Sequence, residues 1–136
     1  MSNAYAAEIR DLHQFFQDWF SGAIAQTEAN FTRDSTALGE NFTLIAPDGT
    51  LAEYATVIGW LRGGYASRPN FRLWTDKIVV RHQQGDLALA TYEEWQTIDG
   101  QENVRLSTTL LRANASAPAG VEWLHVHETW LKQGKS

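Results

Sequence analysis

No cysteine occurs in this chain. That removes disulfides, thiolate nucleophiles, thiol zinc sites and iron–sulfur clusters together. Long apolar runs are missing as well: none approaches the ~18 residues a membrane span needs, so no membrane is expected as a partner. The amino-terminal stretch Met1-Ser2-Asn3-Ala4-Tyr5-Ala6-Ala7-Glu8 reaches an acid early and lacks a basic start with an apolar block. No secretory signal is read there, and the cytoplasm is the expected location. The tripeptides Asn30-Phe31-Thr32 and Asn41-Phe42-Thr43 are therefore accidental matches to a glycosylation acceptor. Basic residues are outnumbered, 11 Lys plus Arg against 16 Asp plus Glu for a net charge of -5. Nothing supplies the broad basic face that a phosphate backbone demands, so no nucleic acid is expected. There is no Walker-type phosphate loop, no Gly-x-Gly-x-x-Gly and no Gly-x-Ser-x-Gly. Nucleophilic serine chemistry is unsupported, and no nicotinamide, flavin or other cofactor is expected.

What remains is 136 residues, 43% hydrophobic and 20% charged, the size and balance of one folded domain over 1–136. Aromatics reach 12%, with six Trp, four Tyr and six Phe, enough to build a core, line a ligand cavity or anchor an interface.

Ile9, Leu12, Phe16, Trp19, Phe20 and Ala23 fall at helical steps and predict a long amino-terminal helix with one apolar face, fading by about Thr27. Ser2 or Asn3 is its expected cap, and Glu8 and Asp11 suit the positive end of its dipole. A polar connection over Thr32–Glu40 leads to a short strand over Asn41–Ala46, then turn chemistry at Pro47-Asp48-Gly49-Thr50. Thr50-Leu51-Ala52-Glu53 reads as a capping box ahead of a second helical stripe, Tyr54, Val57, Ile58, Leu61 and Tyr65, which Gly63-Gly64 and Pro69 end. From Asn70 the period changes to two. Phe71–His82, Leu87–Ile98, Val104–Ala113 and Val121–Leu131 are strand candidates, the first three joined by hairpin signals at Gln83–Asp86 and Asp99–Glu102. The expected fold class is α+β: a single domain in which a long amino-terminal helix and a second helix pack on a strongly curved, mainly antiparallel sheet.

Short motifs in the carboxy-terminal half carry a resemblance. Gly85-Asp86-Leu87-Ala88 is similar to a recurring strand start, Ile98-Asp99-Gly100-Gln101 to a hairpin, and Arg105-Leu106-Ser107-Thr108 to a Gly-Arg-x-Thr strand without its Gly. Trp123-Leu124-His125-Val126-His127-Glu128-Thr129 resembles an ending Trp-x-x-x-His-x-His-x-Ser, with the Trp two places closer and Thr for Ser. With the order of elements, this resembles the nuclear transport factor 2-like superfamily, in its SnoaL-like and calcium/calmodulin-dependent kinase II association-domain branches. The resemblance implies a cone-shaped domain with an internal cavity. It leaves function open, because members include isomerases, dehydratases, cyclases, epoxide hydrolases, transport adaptors and oligomerisation domains. It also draws attention to Asp34, in a region where some of those enzymes place a general base.

His125 and His127 are the sharpest local feature. Plain alternation puts both on one face with Trp123 and Thr129, while Leu124, Val126 and Trp130 point the other way. Two imidazoles could begin a metal site, but His13, His82 and the carboxylates stand at no spacing that completes one, so no metal is expected. The two histidines are the candidate catalytic bases, in a His–carboxylate pair with Glu93 or Glu94. Arg105 is the candidate anion-recognising group at the cavity floor, since a core-facing arginine must find a carboxylate or a ligand. A two-residue turn at Asp99-Gly100 would set Glu94 opposite Arg105; a bulged turn would bring Glu93 onto its face. Tyr92, Trp95, Trp60 and Tyr65 are the candidate cavity walls.

Three readings of function follow. One is a small-molecule-binding domain with a polar-aromatic cavity, and a second a cofactor-independent isomerase, dehydratase or cyclase in which Arg105 stabilises an anion. The third is an assembly module, a homodimer joined through a convex sheet face bearing Leu124, Val126 and Trp130.

Overall fold

The apolar stripe near the amino terminus forms α1, Ala4–Ser21, in a computed structural model that describes residues 4–131. The expected cap at Ser2 or Asn3 lies outside the described residues. Tyr5, Ile9, Leu12 and Trp19 are buried along the helix. It stops where Gly22 takes φ +80°, a left-handed conformation that costs glycine nothing. α1 is therefore shorter than the stripe suggested, and the polar connection after it holds a further helix, α2, Glu28–Ser35. Thr27 caps α2, its Oγ1 accepting the Asn30 N–H at 3.1 Å. Only Phe31 and Asp34 are buried on α2, so no apolar periodicity marks it in the sequence.

β1 runs Leu38–Ile45, starting earlier than the expected Asn41. The turn after it forms as expected, with Asp48 Oδ1 accepting the Thr50 N–H at 2.9 Å. The capping box does not form. Its last three residues are instead a short strand, β2, Leu51–Glu53, laddered to β1 through Thr43↔Glu53 and Ile45↔Leu51. α3, Tyr54–Gly63, then begins without a side-chain cap bond from Glu53. Pairing with a neighbouring strand satisfies more backbone groups here than one cap would.

Four long strands complete the sheet: β3, Arg72–Gln84; β4, Leu87–Ile98; β5, Gln101–Ala113; and β6, Val121–Trp130. Their order is β2-β1-β6-β5-β4-β3, antiparallel throughout except that β1 and β6 run parallel. The result is the expected α+β architecture, three helices on a curved, mixed sheet.

Two local features decide which side chains look inward. Asp99 and Gly100 both take positive φ, +50° and +80°, the two-residue primed turn that matches strand twist. It sets Ile98 opposite Gln101 and Glu94 opposite Arg105, settling the parity in favour of Glu94. On β6, Leu111 pairs with Trp123 but Leu110 pairs with His125, leaving Leu124 as an extra residue. That bulge resets the alternation.

Glu8 ties three elements together. Although acidic, it is only 1% exposed. It receives both Nη atoms of Arg33, at 2.5 and 3.2 Å, and the Trp123 indole N–H at 3.0 Å. α1, α2 and β6 thus meet on one carboxylate rather than on the helix dipole expected to favour it.

Candidate functional site

Between α1, α3 and the concave face of the sheet lies a cavity of about 190 Å³. Its wall is mostly apolar, with Leu12, Phe16 and Phe20 from α1, Phe42 and Leu44 from β1, and Leu73 from β3. The exposed side chains of Trp60 and Arg68 also line it and mark its open side. Arg68 lies over the rings of Phe20 and Phe71, 5.6 and 5.2 Å from their centroids.

The polar groups gather at one end. Residues of β4, β5 and β6 that share the inward face, Tyr92, Glu94, Gln96, Arg105 and Glu128, meet His13 from α1 there. His13 donates Nδ1–H to the Ile9 carbonyl at 2.7 Å and holds Nε2 3.1 Å from Glu94 Oε1. Both partners are acceptors, an arrangement that suits the doubly protonated ring. The other Glu94 oxygen takes the Gln96 amide at 2.6 Å. Arg105 donates Nη1 to Glu128 Oε1 at 3.0 Å, holds Nε 4.0 Å from Glu94, and lies under the Trp130 ring, 4.7 Å from its centroid.

These neighbours push the two carboxylates apart. Burial alone would raise the Glu94 pKa, but the bond and charge of His13, then the charge of Arg105, hold it well below its ordinary value. Burial and the adjacent Glu94 charge push the Glu128 carboxyl up to about 7, and Arg105 only partly opposes them. For His13, burial favours the neutral ring, yet the hydrogen bond and charge of Glu94 win and its pKa rises. Burial, then the charges of Glu94 and Glu128, lifts the Tyr92 phenol well above its usual range. Two carboxyls in one cavity, one kept ionised and one holding a proton near neutrality, form an acid–base pair by environment alone.

Of the residues singled out in the sequence, Arg105, Tyr92 and Trp60 line the cavity. His125, His127 and Glu93 do not. The β6 bulge turns Val126 and Glu128 inward and sends both histidines to the convex face. There His125 Nδ1 meets Thr43 Oγ1 at 2.7 Å, and His127 is exposed. The primed turn sends Glu93 to that same face, where it accepts from Trp95 Nε1 at 3.0 Å and sits 3.4 Å from Lys77 Nζ. Trp95 accordingly stacks on Trp74 outside the cavity, with centroids 6.0 Å apart. Tyr65 packs edge-on against Trp19 and donates its hydroxyl to the Ile24 carbonyl, away from the cavity. The face expected to bear Leu124, Val126 and Trp130 is likewise corrected, since Val126 lines the cavity and Trp130 lies over Arg105. Asp34 is fully buried on α2 and lies outside the cavity wall. Both its oxygens lack hydrogen-bond partners, and burial raises its pKa to about 7. Among the described residues no group of three His, Asp or Glu side chains could hold a metal ion.

The sequence reading weighed His13 only as a metal ligand and gave Glu128 no role. Phe16 and Phe20 drew attention only as part of the core stripe, and no motif surrounds His13. Glu128 stands between two more conspicuous histidine positions, and the alternation that hid it is the one the bulge breaks.

Comparison with known proteins places this architecture. The family pattern described as "Sucrose-6-phosphate phosphohydrolase C-terminal" matches residues 5–132. The chain belongs to that family. As a sucrose-6-phosphate phosphohydrolase C-terminal domain it is 27% identical over 130 residues to sucrose-phosphatase 2 of Nicotiana tabacum, covering 93% of this chain but 30% of that protein. The domain thus spans about a third of the length of the curated relatives it matches. Among solved structures it is similar to a nuclear transport factor 2-like protein of unknown function from Pseudomonas aeruginosa, with a TM-score of 0.85 and 24% identity over 95% of this chain and 99% of that one. A CaMKII hub from S. rosetta shares the fold at a TM-score of 0.61 and 17% identity, over 76% and 87% of the two chains. The nuclear transport factor 2-like fold expected from the sequence is therefore the fold of this family member.

Proposed function

We propose that this domain binds a compact small molecule in the cavity between α1, α3 and the sheet, held at its polar end by Arg105 and Glu128. The observation that carries the reading is the division of one cavity into an apolar wall and a single charged end, the pattern of a ligand site. At about 190 Å³ the space lies below the roughly 300 Å³ of the smallest drug-sized pockets. A disaccharide such as the sucrose in its relatives' names would have to project past Trp60 and Arg68. The test is a thermal-shift and titration panel of one-ring compounds, with sucrose and sucrose 6-phosphate included, on the wild type and on Leu44→Trp, which fills the wall. A compact compound that raises the wild-type Tm and leaves Leu44→Trp unmoved supports the reading. No shift from any compound overturns it.

The divided carboxylates favour a second reading in which the same site transfers protons, with Glu128 as the acid and ionised Glu94, held by His13, as the base. Of the groups expected for that chemistry it keeps Glu94, with His13 and Glu128 in place of His125, His127 and Glu93.

Assembly is a separate proposal. The convex face leaves Leu106, Trp74 and Leu87 exposed at 38%, 37% and 41%, and a CaMKII hub shares the fold. A homodimer through that face covers them.

A further inference from the structure

The hydrogen-bonding groups at the polar end are unevenly committed. Each Glu94 oxygen already has a partner, one facing His13 Nε2 and the other holding the Gln96 amide. Arg105 gives Nη1 to Glu128 Oε1 and keeps its buried Nε 4.0 Å from Glu94, while its Nη2, which is not among the buried unpartnered atoms, makes no hydrogen bond among the described residues. The second oxygen of Glu128 accepts no hydrogen bond among the described residues. The cavity therefore keeps a guanidinium donor beside a carboxyl acceptor, on groups whose charges offset one another.

This pairing discriminates among ligand head groups. A carboxylate would bring two further acceptors and a third negative charge next to Glu94 and Glu128. It would need a proton on Glu128 to keep oxygen from facing oxygen. An ammonium would be set against Arg105 and His13. A hydroxyl accepts from the guanidinium, donates to the carboxylate and adds no charge. The body of the ligand meets Leu12, Phe16, Phe42 and Leu44. A dry cavity of roughly 150 Å³ already accepts benzene, so about 190 Å³ suits one substituted ring. We propose that the cavity takes a neutral alcohol of about one ring, its hydroxyl bridging Arg105 and Glu128; this assignment rests on the ligand-binding reading above.

A pH profile separates the alternatives. The charged groups facing Glu128 are Arg105 from β5, Glu94 from β4 and His13 from α1, and they keep its carboxyl near 7. A bound carboxylate must take up a proton there, so its affinity falls about tenfold for each pH unit above 7. A hydroxyl can donate to the ionised form or accept from the protonated one, and its affinity stays level.

Calorimetric titration of the full chain with toluene, benzyl alcohol and benzoate, from pH 6 to 8.5, tests the assignment. Benzyl alcohol is expected to bind at least about tenfold more tightly than toluene or benzoate, the increment of a hydrogen bond to a charged group. Its affinity is expected to vary less than about threefold across the pH range. In Glu128→Ala the preference for benzyl alcohol over toluene disappears while toluene still binds, which also reports an intact fold. The wild-type preference and pH profile test the assignment even if that variant does not fold. Benzoate binding as tightly as benzyl alcohol, or a Glu128→Ala protein that keeps the alcohol preference, overturns the hydroxyl assignment and leaves the cavity reading standing. Failure of all three compounds, toluene included, overturns the cavity reading itself.

Discussion

Asp34 on α2 and Glu128 on β6 carry the same thermodynamic signature. Each carboxyl has an unfolded value near 4 and a folded value of about 7, raised chiefly by burial. Below pH 4 both states hold the proton and the difference contributes nothing. Between 4 and 7 the folded state keeps protons that the unfolded state has lost, so stability falls as pH rises. His13 acts in the same sense near neutrality, because its raised pKa supplies stability that is lost as pH climbs through the folded value. Glu94 works oppositely, and only in acid, where its lowered pKa makes stability fall as pH drops. The chain is thus expected to be more stable at pH 5 than at pH 8, measured as the urea midpoint. Asp34→Asn should remove part of that slope, with a gain of at most about 4 kcal/mol at pH 8 and almost none at pH 4. A variant equally stabilised at both values would show that ionisation of Asp34 is not the cause. Asp34 drew attention in the sequence as a candidate base; it is buried and does not line the cavity.

At the scale of elements, Glu8 decides how α1 and α2 sit on the sheet. Arg33 and Trp123 both point their donors at it from elsewhere in the chain. Glu8→Ala leaves a buried indole N–H and a partly buried guanidinium without their acceptor, a loss of about 3 kcal/mol. The check is a urea titration against wild type, with Asp11→Ala, on an exposed position of the same helix, expected within about 0.5 kcal/mol of it. Equal effects of the two would remove Glu8 from its role. The elements read from the sequence fared according to how strongly their periodicity was written. α1, α3 and the four long strands follow apolar patterns of 3.6 or 2. α2 does not, being held by Thr27, the Arg33–Glu8 pair and one buried ring. β2 was hidden because its residues also spell a capping box, and only the presence of β1 alongside decides between the two.

For the whole molecule, the convex face carries exposed apolar side chains that no other described element covers. Trp74, Leu87 and Leu106 are exposed there, and His125 and His127 pair with Thr43 and Thr108 on the neighbouring strands. Sedimentation at tens of micromolar is expected to give a dimer, and Leu106→Glu to give a monomer that still binds cavity ligands. A wild-type monomer at that concentration overturns the interface. Retained ligand binding by the monomer would show that the cavity needs no second copy.

Composition and periodicity by themselves determined the class of fold, the single domain, the hairpin at Asp99-Gly100 and the candidacy of Arg105, because these depend on local pattern and on the cost of an unpaired buried charge. Which side chains share the cavity with Arg105 was decided only by tertiary structure. One extra residue at Leu124 inverts every later position on β6 and exchanges His125 and His127 for Val126 and Glu128. The partner across the cavity, His13, comes from a helix more than eighty residues away from Glu94 in sequence. A strand's period tells which residues lie together on a face, but a bulge and the packing of a distant helix decide which face encloses the space.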